Sequence, residues 1–245
     1  MRKNLVISCS GPNSLHKQWL NENRNFDLFV IYYGNDKNLY EGDGEYYCQK
    51  KGTKFNIVNE IQINQEYEYI FVPDDDLFMY CEDINNLFDL AKKYDLWICQ
   101  PSILGYYSVC QTLHHPGSVL RYTNWVEIMC PCFNNYAFNI CKSTFNYSKS
   151  CWGIEKLWDK LLGYPKNKIA IIDEIIAKHT RPCFAGDNYR NNNISKPERD
   201  LHKIIEDNDL EWPIKEYEKI KKKNNDTPIN RHYPPLKFLK QRKLF

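Results

Sequence analysis

Several signatures that would name a chemistry outright are missing from this sequence. There is no GxxxxGK[ST] phosphate loop, no GxGxxG after a strand, no HExxH and no GxSxG. P-loop phosphoryl transfer, the usual dinucleotide site, helical zinc hydrolysis and the nucleophile elbow therefore lose their sequence support. Any nucleotide has to be held some other way. No stretch approaches membrane-spanning length, and in MRKNLVISCSG the apolar run is only Leu5 to Ile7, far short of a signal h-region. A cytoplasmic protein without signal peptide or transmembrane segment is the expectation. Neither sign of charge dominates, and a formal net charge of +2 gives no argument for nucleic acid as partner. There is no CxxC pair, and Cys130 and Cys132 stand too close for a zinc knuckle. The ten cysteines are scattered through apolar segments, as with Cys9, Cys81 and Cys99, and read as reduced core thiols. With no secretory route in view, the sequons at Asn146, Asn193 and Asn225 read as chance matches. No internal repeat is found.

What is present is an alternation of strand and helix signals in a chain of 245 residues, enough for one large α/β domain with an appendage. Leu5–Cys9 and Leu28–Tyr33 read as buried strands, with a short helix around Ser14–Leu20 between them. Phe55–Ile63 suits a helix, and Glu68–Val72 a strand stopped by Pro73. Ile84, Leu87, Phe88, Ala91 and Tyr94 follow helical spacing, with Asp83 as N-cap. Asp95–Gln100 is a further strand ended by Pro101, and Asn124–Cys130 and Lys168–Ile172 are two more. Ile154, Leu157, Trp158, Leu161 and Leu162 mark an amphipathic helix. The expected fold class is α/β, a mixed, mainly parallel sheet flanked by helices. Residues 1–186 form the domain, and 187–245 a helical or irregular appendage that packs on it or is partly flexible.

Four motifs carry chemistry. In 69-YIFVPDDDLFMY-80 the aspartates follow the carboxyl end of a strand, where open α/β sheets bind ligands. Along extended backbone Asp74 and Asp76 share a side and Asp75 faces the other. Two converging carboxylates repel unless a cation shares them, and Mg²⁺ or Mn²⁺ accepts oxygen ligands while also binding phosphate. The alternative is a solvated acidic turn; the buried strand before it favours the metal. In 151-CWGIEKLWDKLL-162, Glu155 falls in the first turn of a helix, Gly153 allows close approach, and Trp152 offers a face for a sugar. On that fragment alone, a core tryptophan and a simple N-terminal charge are the better account. In 169-IAIIDEIIAKHTRP-182, Asp173 and His179 lie near the ends of extended segments; His179 is a candidate nitrogen ligand and Arg181 a candidate for phosphate oxygens, against a satisfied histidine and a surface arginine. Glu127 interrupts an apolar strand in RYTNWVEIMCPCF, which points to function or to pairing with Arg121.

The ordered run VPDDDL, DLWICQPSI, LRYTNWVEIMCPCF, SCWGIEKLW and IIDEIIAKHTRP resembles the domain of unknown function DUF707, over roughly Glu60–Pro182. That family is similar to GT-A glycosyltransferases, whose DxD motif binds a divalent metal and a nucleotide sugar. The resemblance implies a GT-A-like, Rossmann-related fold and a Mn²⁺ or Mg²⁺ cofactor. It implies Asp76 as the principal metal carboxylate, with Asp74 nearer the donor ribose or a metal-bound water and His179 completing the coordination. Glu155 would take the proton from the acceptor hydroxyl, although the family more often has Asp there. Ser10, Gly11, Asp36, Asp75 and Arg181 would lie by the donor, and Trp152, Gly153 and Glu127 by the acceptor. The implied partners are a nucleotide-sugar donor, a UDP-sugar being favoured, and a glycan or glycoconjugate acceptor.

Two rivals use the same residues: a metal-dependent nucleotidyl or phosphoryl transferase, and a non-catalytic carbohydrate- or nucleotide-binding module. The tail adds another expectation. Lys237, Lys240, Arg242 and Lys243 alternate with Leu236, Phe238, Leu239, Leu244 and Phe245, a pattern suited to peripheral contact with an anionic membrane, with packing on the domain as the alternative.

Overall fold

The apolar runs of the first third fold as the parallel half of one sheet. In the computed structural model, which describes residues 2–63, 65–183, 189, 191–194, 196–210, 213–222 and 233, β1 (Asn4–Ser10) lies between β2 (Phe26–Tyr32) and β4 (Tyr69–Phe71). β3 (Tyr46–Gln49) extends the sheet beyond β2, and all these pairs are parallel. Side chains alternate along each strand. Leu5, Ile7, Phe29 and Ile31 therefore pack on one face with Phe55, Ile57 and Val58 of α1 (Lys54–Glu60). Val6, Leu28 and Val30 pack on the other with Ile84, Leu87, Phe88 and Ala91 of α2 (Cys81–Lys93). Burial on both faces is why these strands read as continuous apolar runs.

The second half is mixed. β8 (Cys132–Asn134) is antiparallel to both β4 and β6 (Ile98–Gly105); β6 is parallel to β9 (Ile169–His179); β9 is antiparallel to β7 (Ser118–Thr123). β10 (Glu216–Lys221) adds an antiparallel edge on β7, and β5 (Leu77–Phe78) pairs with the end of β9. Among the described residues this makes ten strands in one sheet. Its parallel pairs are β4-β1-β2-β3 and β6-β9. The described part of 187–245 supplies β10 and a helix, α5 (Pro197–Asp207), whose Leu201 and Ile204 are buried.

Four local expectations need correction. The strand runs through Pro101 to Gly105, because a register shift between Pro101 and Ser102 absorbs the missing N–H. Residues 124–131 are not a strand: Thr123 Oγ1 donates to the Trp125 carbonyl at 2.5 Å and accepts from Trp125 N at 3.1 Å, closing a turn. Asp83 is not the N-cap, a place that Tyr80 takes; Asp83 Oδ2 accepts from Tyr80 N at 3.2 Å as the reciprocal half of a capping box. The segment after β1 is a single 3₁₀ turn, His16–Trp19.

Two helix starts are drawn together by aromatic side chains. α1 opens on Lys54 and α4 (Glu155–Leu161) on Glu155. Phe55 and Trp158 meet edge-on at 5.8 Å, and Phe145, just beyond α3 (Asn135–Cys141), joins them at 4.7 Å from Phe55. Aromatic packing of this kind fixes the two helices relative to each other. All ten cysteines are free, seven of them buried. Among the described residues no helix is long and apolar enough to cross a membrane. The tail positions 236–245, expected at a membrane, lie outside the described residues.

Candidate active site

The chain leaving β4 keeps an extended course, with Val72 N donating to Pro131 O at 2.9 Å and Asp74 N to Met129 O at 2.8 Å. β9 runs past the expected end at Ile172 as far as His179. Leu77 pairs with His179, and Thr180 binds the Asp76 carbonyl through both its N–H (3.1 Å) and its hydroxyl (2.7 Å). This places the end of β9 directly against the aspartates.

Each aspartate then meets its own base. Lys54 Nζ lies 2.5 Å from Asp74 Oδ1, Arg181 Nη1 3.2 Å from Asp75 Oδ1, and His179 Nε2 3.3 Å from Asp76 Oδ2. Asp75 also accepts from Gly11 N at 2.6 Å, tying the run to the end of β1. Burial pushes the Asp75 carboxyl up to about 7, with Asp76 adding to it and Arg181 opposing. Burial acts on Asp76 in the same direction, but the hydrogen bond and charge of His179 outweigh it and hold that carboxyl below its usual range. Burial disfavours the charged form of His179, yet Asp76 raises it to about 11. Three clustered carboxylates are stable here because three cations are interleaved with them.

A second acidic group faces them. Glu127, 7% exposed, accepts from the Ser108 hydroxyl through Oε1, while its buried Oε2 has no partner among the described residues. Burial pushes its carboxyl up to about 7; Ser108 and His179 oppose the rise, and the charges of Asp74 and Glu155 add to it. Glu155, 8% exposed, is raised by burial too, opposed by Lys156 and by the N–H groups at the helix start, where its Oε2 accepts from Gly153 N at 3.0 Å. Lys156 Nζ stands 4.7 Å from the centre of the Trp125 ring. Arg121 is not the partner of Glu127: it is buried in a two-pronged pair with Asp173, at 2.8 and 3.0 Å, and Asp173 also accepts from Ser118 and His115. Asp173 is a saturated structural carboxylate in mid-strand.

The other expected residues have partners of their own. Ser10 is fully buried, its hydroxyl 2.8 Å from Ser8 Oγ and 3.3 Å from His16 Nδ1, in a chain that ends on Asp43. Gly11 lies under Tyr33, whose hydroxyl leaves no room for a Cβ. Asp36 is exposed and accepts from the Tyr32 hydroxyl at 3.0 Å. Trp152 donates to the Tyr189 hydroxyl at 2.9 Å. Gly153 has φ +93°, and a Cβ there would meet Leu201 Cα at 2.9 Å, so α5 is what approaches this glycine closely. Sequence reading missed Lys54, Tyr33, Ser108 and Lys156; only Lys156 carried a signal, as a charge beside Glu155 in the first turn of an amphipathic helix.

Among the described residues no group of three or more His, Cys, Asp or Glu side chains is gathered into a metal cage. There is instead an edge. Two ligands on adjacent octahedral corners, each about 2.1 Å from the ion, lie about 3 Å apart, close to the 3.3 Å between Asp76 Oδ2 and His179 Nε2. Asp76 Oδ1 is buried without a partner among the described residues, and His179 Nδ1 is 2.9 Å from the Tyr106 carbonyl. That carbonyl fixes the proton on Nδ1, so Nε2, whose own proton is held by Asp76 here, would be the nitrogen that faces an ion once a metal displaces that proton. Such an edge fits a hard cation whose remaining positions are filled by phosphate and water.

No family model and no curated protein matches the chain, and the DUF707 resemblance gains no support from them. Solved structures do match. The mannosyltransferase PcManGT from Pyrobaculum calidifontis, in complex with GDP-Man and Mn²⁺, is 9% identical at TM-score 0.53, over 86% of this chain and 66% of that one. S. aureus TarS 1–349 in complex with UDP-GlcNAc is 12% identical at TM-score 0.50, over 84% and 72%. This chain spans 60% of another TarS 1–349 structure and 38% of a longer TarS chain. Identities this low speak for the fold alone: it is α/β and GT-A-like, a mixed sheet with flanking helices.

Proposed function

We propose that this protein is a divalent-metal-dependent glycosyltransferase that moves a sugar from a nucleoside-diphosphate sugar, a UDP-sugar being favoured, to a hydroxyl of a glycan or glycoconjugate. The observation that carries it is the Asp76–His179 edge with its unpartnered buried oxygen, at the carboxyl ends of β4 and β9 in this fold. The DxD reading of Asp74-Asp75-Asp76 and the likeness to DUF707 belong to the same proposal.

Asp76 and His179 would hold Mn²⁺ or Mg²⁺, which when bound offsets the charge growing on the departing diphosphate. Asp75, Arg181 and Gly11 hold the run of aspartates to the end of β1, and Ser10 and Asp36 keep the donor side of that end in place. Glu155 would take the proton of the acceptor hydroxyl as its oxygen attacks the anomeric carbon and the bond to the diphosphate breaks, a contribution of about 10²–10⁴-fold. Glu127, Trp152 and Gly153 would frame the acceptor side.

The test is Glu155→Gln. Nucleotide binding by calorimetry, with UDP and GDP in the presence of Mn²⁺, is expected to match wild type while transfer falls about a hundredfold or more. A binding module would show binding and no transfer in either protein. A nucleotidyl transferase would release something other than intact nucleoside diphosphate.

A further inference from the structure

Lys54 is the least expected charge in the molecule. It opens α1 and is 7% exposed. Its ammonium lies 2.5 Å from Asp74 Oδ1, 2.5 Å from the Ile128 carbonyl and 3.0 Å from the Met129 carbonyl, with Val72 O at 3.4 Å. An ammonium has three N–H donors, and three close acceptors use them all. Two of those acceptors belong to the loop that carries Glu127. The same helix start reaches the segment before Glu155: Thr53 Oγ1 donates to the Lys149 carbonyl at 2.9 Å, and Phe55 N to Cys151 Sγ at 3.4 Å. Asp74 itself is open on its far side, its side chain 41% exposed.

We propose that Lys54 is a positioning residue that withholds Asp74 from the metal. One Asp74 oxygen is committed to the ammonium, and the other stays open as a hydrogen-bond acceptor toward the donor. Asp76 and His179 are then left to take the cation without a second carboxylate. A lysine serves because it is a compact charge that binds one carboxylate oxygen and two carbonyls at once. The inference rests on the proposed metal site and deepens it, but its test needs neither nucleotide nor sugar.

Mn²⁺ alone is titrated into wild type and variants by calorimetry, with the loss of free-ion paramagnetic signal as a second readout and circular dichroism as the check of folding. Lys54→Met and Lys54→Gln release Asp74 and remove a positive charge from the site, so Mn²⁺ is expected to bind about tenfold tighter than to wild type. Combining Lys54→Gln with Asp74→Asn should abolish the gain, and Lys54→Arg, which keeps the charge, should stay near the wild-type value. If Lys54→Met does not fold because its acceptors are left bare, Lys54→Gln carries the measurement, since its amide still donates to the two carbonyls. Mn²⁺ binding no tighter in Lys54→Gln, or a gain that survives Asp74→Asn, overturns the proposal. Failure of every nucleotide sugar as donor would sink the transferase reading and leave this result standing.

Discussion

Replacing Glu127 by Gln should make the protein more stable, and only above mildly acid pH. The carboxyl ordinarily titrates near 4.5 and is pushed up to about 7 in the fold, first by burial. Its folded value is raised, so the protonated form is the one the fold accepts: the group costs nothing below about 4.5, and the cost grows as pH rises and levels off above 7. A displacement of one pH unit is equivalent to about 1.4 kcal/mol, which gives a full penalty of about 3 kcal/mol. At 7% exposure there is little solvent to screen it. Gln has the same shape and no charge, but its amide meets the place where Oε2 has no partner, a loss of about 1 kcal/mol. Urea denaturation in EDTA at pH 5 and pH 8 should therefore show the variant gaining on wild type by about 2.5 kcal/mol between the two, ending about 2 kcal/mol more stable. The groups around Glu127 do not blur this: Ser108 does not titrate, His179 stays protonated, and Asp74 and Glu155 are common to both proteins. Parallel stability curves would refute the reasoning, since they would mean that Glu127 ionises in water like any surface carboxylate.

Other outcomes rest on the same geometry. Asp173→Ala strands Arg121 in the interior and should cost about 3–5 kcal/mol in denaturation, while folded protein keeps its Mn²⁺ affinity. Gly153→Ala puts a Cβ at 2.9 Å from Leu201 Cα on a left-handed backbone; a loss of about 1–3 kcal/mol and faster hydrogen exchange in α5 are expected. Unchanged exchange there would show that the glycine serves something other than helix packing.

The sheet is legible in the sequence where it is buried on both faces: the apolar runs at Leu5–Cys9, Leu28–Tyr33 and Glu68–Val72 read as strands and overlap β1, β2 and β4. The position of the aspartates just past the carboxyl end of β4 is legible too. Legibility fails where neighbours distant in sequence decide. Pro101 reads as a stop, but a register shift against β9 carries the strand past it. Glu127 reads as a strand residue because nothing in WVEIM reveals the Thr123–Trp125 turn. Arg121 could serve either acid, and the choice of Asp173 depends on β7 pairing with β9. Lys54 gives no signal at all: its role exists only once the start of α1 is folded against the end of β4 and the loop at 128–129.

The most direct measurement of the transferase reading is release of nucleoside diphosphate from a panel of nucleotide sugars with Mn²⁺, wild type beside Asp76→Asn. The expected result is slow, metal-dependent release from one donor, absent in the variant, because Asp76 supplies the carboxylate of the Asp76–His179 edge. No release, no binding of UDP or GDP, and no response to Mn²⁺ would contradict it.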